Sequence, residues 1–208
     1  MAKPLIAVDS IFDKALQLLD ERGVEGLSAR NLAAALQCST RTLYQQVGKK
    51  DELIGQLFAH YFSGLQLEFH CEEKWQDTAY SWASALRTAL LAHPNLSRLI
   101  TAQHRAPIAD YTSELLKHLL KAGFPEELAL RSCRVMVNVV LALSLSELGT
   151  PSDYTAQKRK SSKEIRFEDL VVSRGNTTAE SRAPEVFANA LRWTIDGIEN
   201  ELAVYANI

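Results

Sequence analysis

Cysteine is scarce in this chain of 208 residues, and Cys38, Cys71 and Cys133 stand far apart without a CxxC or Cys/His ligand spacing. That excludes a disulfide framework and a cysteine metal site, and it reads as reduced thiols in a cytoplasmic protein. The five histidines, His60, His70, His93, His104 and His118, lack the HExxH spacing and form no close trio with acids, so structural roles are expected and no metal is. GxSxG, GxGxxG and Walker A loops are all missing, which leaves catalysis without a visible nucleophile or phosphate cradle; no enzyme and no cofactor are expected. The most apolar run, residues 135–145 (VMVNVVLALSL), is too short to span a bilayer and carries Asn138. The first residues, MAKPLIAVDSIFDK, lack a sustained apolar stretch before a small-residue cleavage site, so neither export nor a membrane partner is expected. Strict apolar/polar alternation is missing too, which argues against strands and for an all-α fold.

One further absence is local. Between Glu25 and Asp51 no acidic residue occurs, while Arg30, Arg41, Lys49 and Lys50 do. The net charge of −2 excludes a wholly basic coat, but a one-signed segment on a near-neutral body marks a patch that meets something negative.

What is present has helical period. Ile11, Phe12, Ala15, Leu16, Leu18 and Leu19 form the stripe of a first helix, opened by Asp9 or Ser10 and closed by Gly23. Ser28 is placed to cap a second helix whose inward face is Leu32, Ala33 and Leu36, and Gln37-Cys38-Ser39 breaks the pattern. A short third helix over residues 40–47 needs to bury only Leu43 and Val47, and Gly48 ends it. Two short helices joined by a tight turn, the second with a polar outer face, make a helix-turn-helix. A fourth helix starts at Asp51-Glu52 and is too long to belong to the head alone. Further helices are expected over 75–93, 108–122, 126–148 and 184–205, with a polar, flexible loop over 150–182 that includes the solvated run Lys158-Arg159-Lys160. The division is a head at 1–52 and a body at 53–208. Trp75, Trp82 and Trp193 read as core aromatics.

The run GVEGLSARNLAAALQCSTRTLYQQVGKKDEL resembles the DNA-binding head of the tetracycline-repressor (TetR) family through Gly23, the pair Leu43-Tyr44, and Lys50 with Leu53. WQDTAYSWASALRTALLAHP, LLKHLLKAGFPEELALRS and FANALRWTIDGIENEL are similar, in order and spacing, to the regulatory domain of that family's tetracycline-responsive subgroup. The resemblance implies that Ser28 and Arg30 open helix two against DNA. It also implies that Thr40, Arg41, Thr42, Gln45 and Gln46 face the major groove, and that Tyr44 and Lys50 hold phosphates. The side-chain chemistry agrees, since Arg pairs with guanine, Gln with adenine, and a Thr methyl touches thymine. Gln37 stands at a turn position where the family carries Gly, and Arg41, Gln45 and Gln46 also depart from its usual residues, so the operator sequence is not transferable.

The function implied is that of a homodimeric repressor on a palindromic double-stranded DNA operator, released by a small molecule; the other reading is a helical ligand-binding or enzymatic protein whose head is only structural. Dimerisation is expected from two helices. The first, 126–148, carries Leu128, Met136, Val137, Val139, Val140, Leu141, Leu143 and Leu145; the second, 184–205, carries Val186, Phe187, Leu191, Ile195, Ile198 and Leu202, with Gly197 allowing close approach. In the subgroup, polar side chains hold the drug and its magnesium ion, whereas matching positions here are Trp82, Leu86 and Ile100. An apolar cavity between Phe62, Trp82, Leu86, Ile100, Leu116 and Met136, with Gln103 or His104 as polar anchor, would suit a lipophilic or aromatic ligand. The alternative is that these residues simply fill the core.

Overall fold

The structure is a computed structural model that describes residues 6–64, 73–101, 104–148 and 179–206. Everything described is helix or short connection, as the sequence pattern requires. The head contains α1 (Val8–Gly26), α2 (Ala29–Ala35) and α3 (Thr40–Val47). A long α4 (Lys50–Gly64) leads to α5 (Trp75–Ala92), α6 (Pro94–Ser97), α7 (Ala106–Lys121), α8 (Glu126–Glu147) and α9 (Ala179–Tyr205).

Local chemistry sets the boundaries in the head. Gly23 breaks α1 with φ 68° and ψ −168°, a region open essentially to glycine, and one further turn follows it. Ser28 Oγ accepts from Asn31 N at 3.2 Å and Ser39 Oγ from Thr42 N at 3.1 Å, so a serine satisfies a free N–H at the start of both α2 and α3. Gly48, with φ 71° and ψ −157°, ends α3. A Cβ at that position would run into the Glu52 carboxylate, which in turn accepts from Lys49 N at 2.9 Å and secures the start of α4.

Gln37 occupies the turn between α2 and α3 with φ 52°, and among the described residues it is the sole non-glycine with positive φ. Left-handed backbone at a residue with a Cβ costs on the order of 1 kcal/mol. Gln37→Gly is therefore expected to raise stability by about 1 kcal/mol, a rise of roughly 2–4 °C in Tm for a chain of this size. Thermal unfolding checks this, and a lower Tm would contradict it.

In the body, α5 is the central helix and packs on α6, α7, α8 and α9. Trp82 is fully buried there, stacked on Tyr111 at 5.4 Å; its indole N–H donates to Tyr111 O and the Tyr111 hydroxyl donates to Trp82 O. Burial pushes the Tyr111 phenol above its ordinary value, so it remains a donor. Arg87 holds Glu147 in a forked pair, Nη2 donating to Oε1 at 2.7 Å and Nε to Oε2 at 3.2 Å, and lies over the Phe187 ring, which joins α5, α8 and α9. Cys133 is buried on α8, and desolvation lifts its thiol to about 11, which keeps it neutral.

Head and body are joined by more than the connecting helix. The expected boundary at 52/53 falls within the first turn of α4, which packs on α1 and α3 on one side and on α7 on the other. Helix α1 also meets α6: Asn95 Nδ2 donates to Leu19 O at 2.9 Å, and His93 Nδ1 lies 2.7 Å from Asp20 Oδ2. Arg98 holds Asn95 Oδ1 and donates to Leu148 O at the end of α8, so hydrogen bonds run from the head to the far end of a body helix. Tyr61 on α4 donates to Ala89 O, and its phenol is raised by burial and by the nearby Asp20 charge.

The structure corrects several expectations. Helix α9 begins at Ala179, ahead of Pro184, which lies inside it; a proline removes one rung of the ladder, and the residues before it precede the apolar stripe that periodicity can detect. Trp193 is not a core aromatic: it is 66% exposed, while Trp75 packs edge-on against Phe124 at 4.9 Å. The apolar excess expected at a dimer interface is largely consumed within the protomer. Leu128, Met136, Val140 and Leu141 of α8, and Phe187, Leu191, Ile195 and Ile198 of α9, are buried. The apolar residues left outside are Leu130 and Val135 on α8, and Val186, Trp193 and Val204 on α9 with Gly197 open beside them. Helix α8 is longer than the apolar run within it, long and apolar enough to cross a membrane, but it packs against α5, α7 and α9 as a core helix does. The expected loop at 150–182, apart from the start of α9, and the run Lys158-Arg159-Lys160 lie outside the described residues.

Candidate nucleic-acid interface

Helix α3 turns Leu43 and Val47 into the core, and that alone fixes what it presents. With those two positions inward, Thr40, Arg41 and Gln45 stand exposed and Tyr44 is 48% exposed. Arg30 on α2 and Lys49 and Lys50 at the start of α4 are exposed as well. Among the described residues no ion pair engages Arg30, Arg41, Lys49 or Lys50, and the single nearby carboxylate bonded to this segment, Glu52, is occupied by Lys49 N. Three unpaired cations thus flank a short helix whose polar outer face carries a fourth, Arg41. A duplex offers the phosphates for such cations and base edges for such donors and acceptors.

Not every expected contact is free to act. Ser28 is half-buried, and its oxygen accepts the N-terminal N–H of Asn31 in capping α2. The Thr42 hydroxyl lies 2.8 Å from Ser39 Oγ, inside the capping arrangement of α3. Gln46 is half-buried, and its Nε2 donates to Ile6 O at 2.6 Å, across 40 residues of sequence. Thr40, Arg41 and Gln45 are left on the exposed side of α3 without such contacts. The Ile6 contact had no sequence signal, since it pairs a side chain with a backbone carbonyl.

The expected ligand residues lie on α4, α5, α7 and α8 and on the segment between α6 and α7. Phe62, Trp82, Leu86 and Met136 are buried, Ile100 and Leu116 are half-buried, and Gln103 lies outside the described residues. His104 is half-buried between α6 and α7. Its Nδ1 is 3.1 Å from Leu99 O, which makes that nitrogen the donor and leaves Nε2 as an acceptor. The ring stacks on Phe58 at 6.3 Å, Phe58 stacks on Phe62 at 4.8 Å, and a Cβ on Gly55 would sit 3.6 Å from His104 Cδ2. Gly55, Phe58 and Tyr111 are thus neighbours of these residues that were not among the expected ligand contacts. A separate open cleft of about 390 Å³ between α5 and α9, lined by Gln76, Asp77, Tyr80, Asn189, Arg192 and Asp196, shares none of the expected residues.

Comparison with known proteins agrees with this geometry. Residues 11–57 match the family model described as bacterial regulatory proteins, tetR family, and residues 70–202 match tetracyclin repressor-like, C-terminal domain. An HTH-type transcriptional regulator of Saccharopolyspora erythraea is 33% identical over 67% of this chain, and the match spans 60% of that relative's own length. The tetracycline repressor protein class E of Escherichia coli is 32% identical over 70% of each chain. In fold, the chain is similar to a possible TetR family transcriptional regulator from Streptomyces coelicolor, with a TM-score of 0.76 at 23% identity, covering 92% of this chain and 98% of that one.

Proposed function

The chain belongs to the tetracycline-repressor family of bacterial regulatory proteins, and on that premise we propose that it is a homodimeric, cytoplasmic transcriptional repressor that releases a near-palindromic DNA operator when a small molecule occupies its body. The observation that carries this reading is the set of unpaired cations, Arg30, Arg41, Lys49 and Lys50, around the capped and exposed face of α3. Two heads about 34–36 Å apart would reach successive major grooves on one side of the duplex. No catalytic step is assigned to the chain.

Release follows from linkage. A ligand that favours a head spacing unsuited to DNA shifts the population by its differential affinity for the two arrangements. The effector residues we propose are Phe62, Trp82, Leu86, Ile100, Gln103, His104, Leu116 and Met136, with His104 as polar anchor through its acceptor nitrogen. His104 faces α4 at Gly55 and Phe58, so a ligand there would bear directly on the helix that carries the head.

Anisotropy titration against DNA flanking the protein's own gene tests the reading. Specific binding is expected, with log K falling against log[salt] at a slope of roughly −4 or steeper if each head neutralises two phosphates; salt-insensitive or absent binding would overturn it. Magnesium-tetracycline is expected to bind poorly, because desolvating a polar chelate beside Trp82 and Leu86 costs several kcal/mol without matching partners. Tryptophan fluorescence titrations with magnesium-tetracycline and with apolar aromatic compounds, repeated on Trp82→Phe, check this, and tight magnesium-dependent quenching would contradict it.

A further inference from the structure

We propose that Gln46, although it lies on the recognition helix, does not read DNA but acts as a buckle that fixes the chain entering α1 against the end of α3. The inference rests on the DNA-binding reading above and removes one residue from its expected base contacts.

The geometry is specific. Gln46 Nε2 donates to Ile6 O at 2.6 Å. The donor assignment is fixed by the partner, since a backbone carbonyl can only accept and the opposite amide orientation would set two oxygens together. The other end of the amide, Oε1, is buried without a hydrogen-bond partner, so the group is turned inward rather than along the exposed face. Ile6 itself is half-buried and packs on the core, which means that the carbonyl held by Gln46 belongs to an anchored residue. Val47, next along the chain, is buried as well. To point its amide at a base edge, Gln46 would have to swing away from Ile6 and give up that bond.

What the buckle does follows from its ends. Helix α1 packs on α2, α4 and α6, whereas α3 packs on α2 and α4 and owes its direction to few neighbours. A bond from Gln46 to the residue before α1 adds a fixed point at the C-terminal half of α3. Freedom removed before binding need not be lost on binding, so the buckle raises affinity for every DNA sequence alike. A base contact would act on one operator position, and a phosphate contact would show in the salt dependence.

The test compares Gln46→Met, which keeps the length and removes the donor, with Gln46→His, which returns a ring N–H at comparable reach. Selection from a randomised duplex pool, titration at several salt concentrations and amide exchange over residues 6–12 are measured on each full-length variant. Gln46→Met is expected to bind about three- to tenfold more weakly, the equivalent of one hydrogen bond, with the selected consensus and the salt slope unchanged and faster exchange over residues 6–12. Gln46→His is expected to restore both affinity and protection. A shift in preference at one operator position would make Gln46 a base reader, a shallower salt slope would make it a phosphate contact, and unchanged affinity would show that the buckle does not act; each overturns the proposal. If the unsubstituted protein selects no sequence at all, the regulator reading fails, while the exchange data still decide whether the buckle exists.

Discussion

Replacing Trp193 by glutamate is expected to leave the protein monomeric at micromolar concentration and to cut operator affinity by at least about a hundredfold. Trp193 is 66% exposed on a helix whose other outward apolar residues, Val186 and Val204, stand seven and eleven positions away, with Gly197 open between them. That is the stripe of a helix waiting for another helix, and tryptophan is among the residues that most often dominate such contacts. Across a two-fold axis each substitution counts twice, so a loss of roughly 2–4 kcal/mol per side amounts to about 4–8 kcal/mol, a thousandfold or more in the dimer dissociation constant. The protomer should survive, because its own core is built from Phe187, Leu191, Ile195 and Ile198 on the opposite face of α9. Light scattering with circular dichroism reads both effects. A Trp193→Glu protein that remained a dimer would place the interface elsewhere, and Trp193→Phe, which keeps an aromatic anchor, should dimerise.

Arg41→Ala and Lys50→Ala should separate in kind. Arg41 is exposed on the outward face of α3, with a planar fork suited to guanine, and its loss is expected to lower discrimination between operator and mismatched DNA by about 1–3 kcal/mol. Lys50 opens α4 at the edge of the same face and offers a point charge, so its loss should weaken all sequences equally and reduce the salt slope by about one per head. Competition titrations with specific and scrambled duplexes decide the matter; equal losses on every sequence for both variants would remove the distinction.

The head was largely legible because its architecture is enforced locally. Ser28 and Ser39 cap the N–H groups three residues on, Gly23 and Gly48 hold backbone angles that side chains avoid, and Gln37 shows its cost in its own φ. Such devices operate within a few residues and leave their signature in the order of residue types. The Gln46 contact was not legible for the opposite reason: its partner is 40 residues away and is a carbonyl, which every residue carries. Trp193 was misread because periodicity reports how many apolar faces a helix has, not which of them its own protomer covers. In α9 both faces are apolar, and burial of Phe187 and Leu191 settles which one remains outside. The surroundings of the proposed effector residues were not legible in the same way, since Gly55 and Phe58 meet His104, and Tyr111 meets Trp82, by packing between distant helices.

The closure of α3 at both ends has a consequence for how the protein could acquire new targets. Ser39 starts the helix from one side and Gly48 stops it from the other, while Leu43 and Val47 seat it, so these four hold the frame. Thr40, Arg41 and Gln45 are therefore a replaceable insert within a self-contained cassette. Exchanging those three side chains for ones that read another sequence should redirect the protein to a different operator while its folding, its subunit pairing and its response to effector are inherited unchanged.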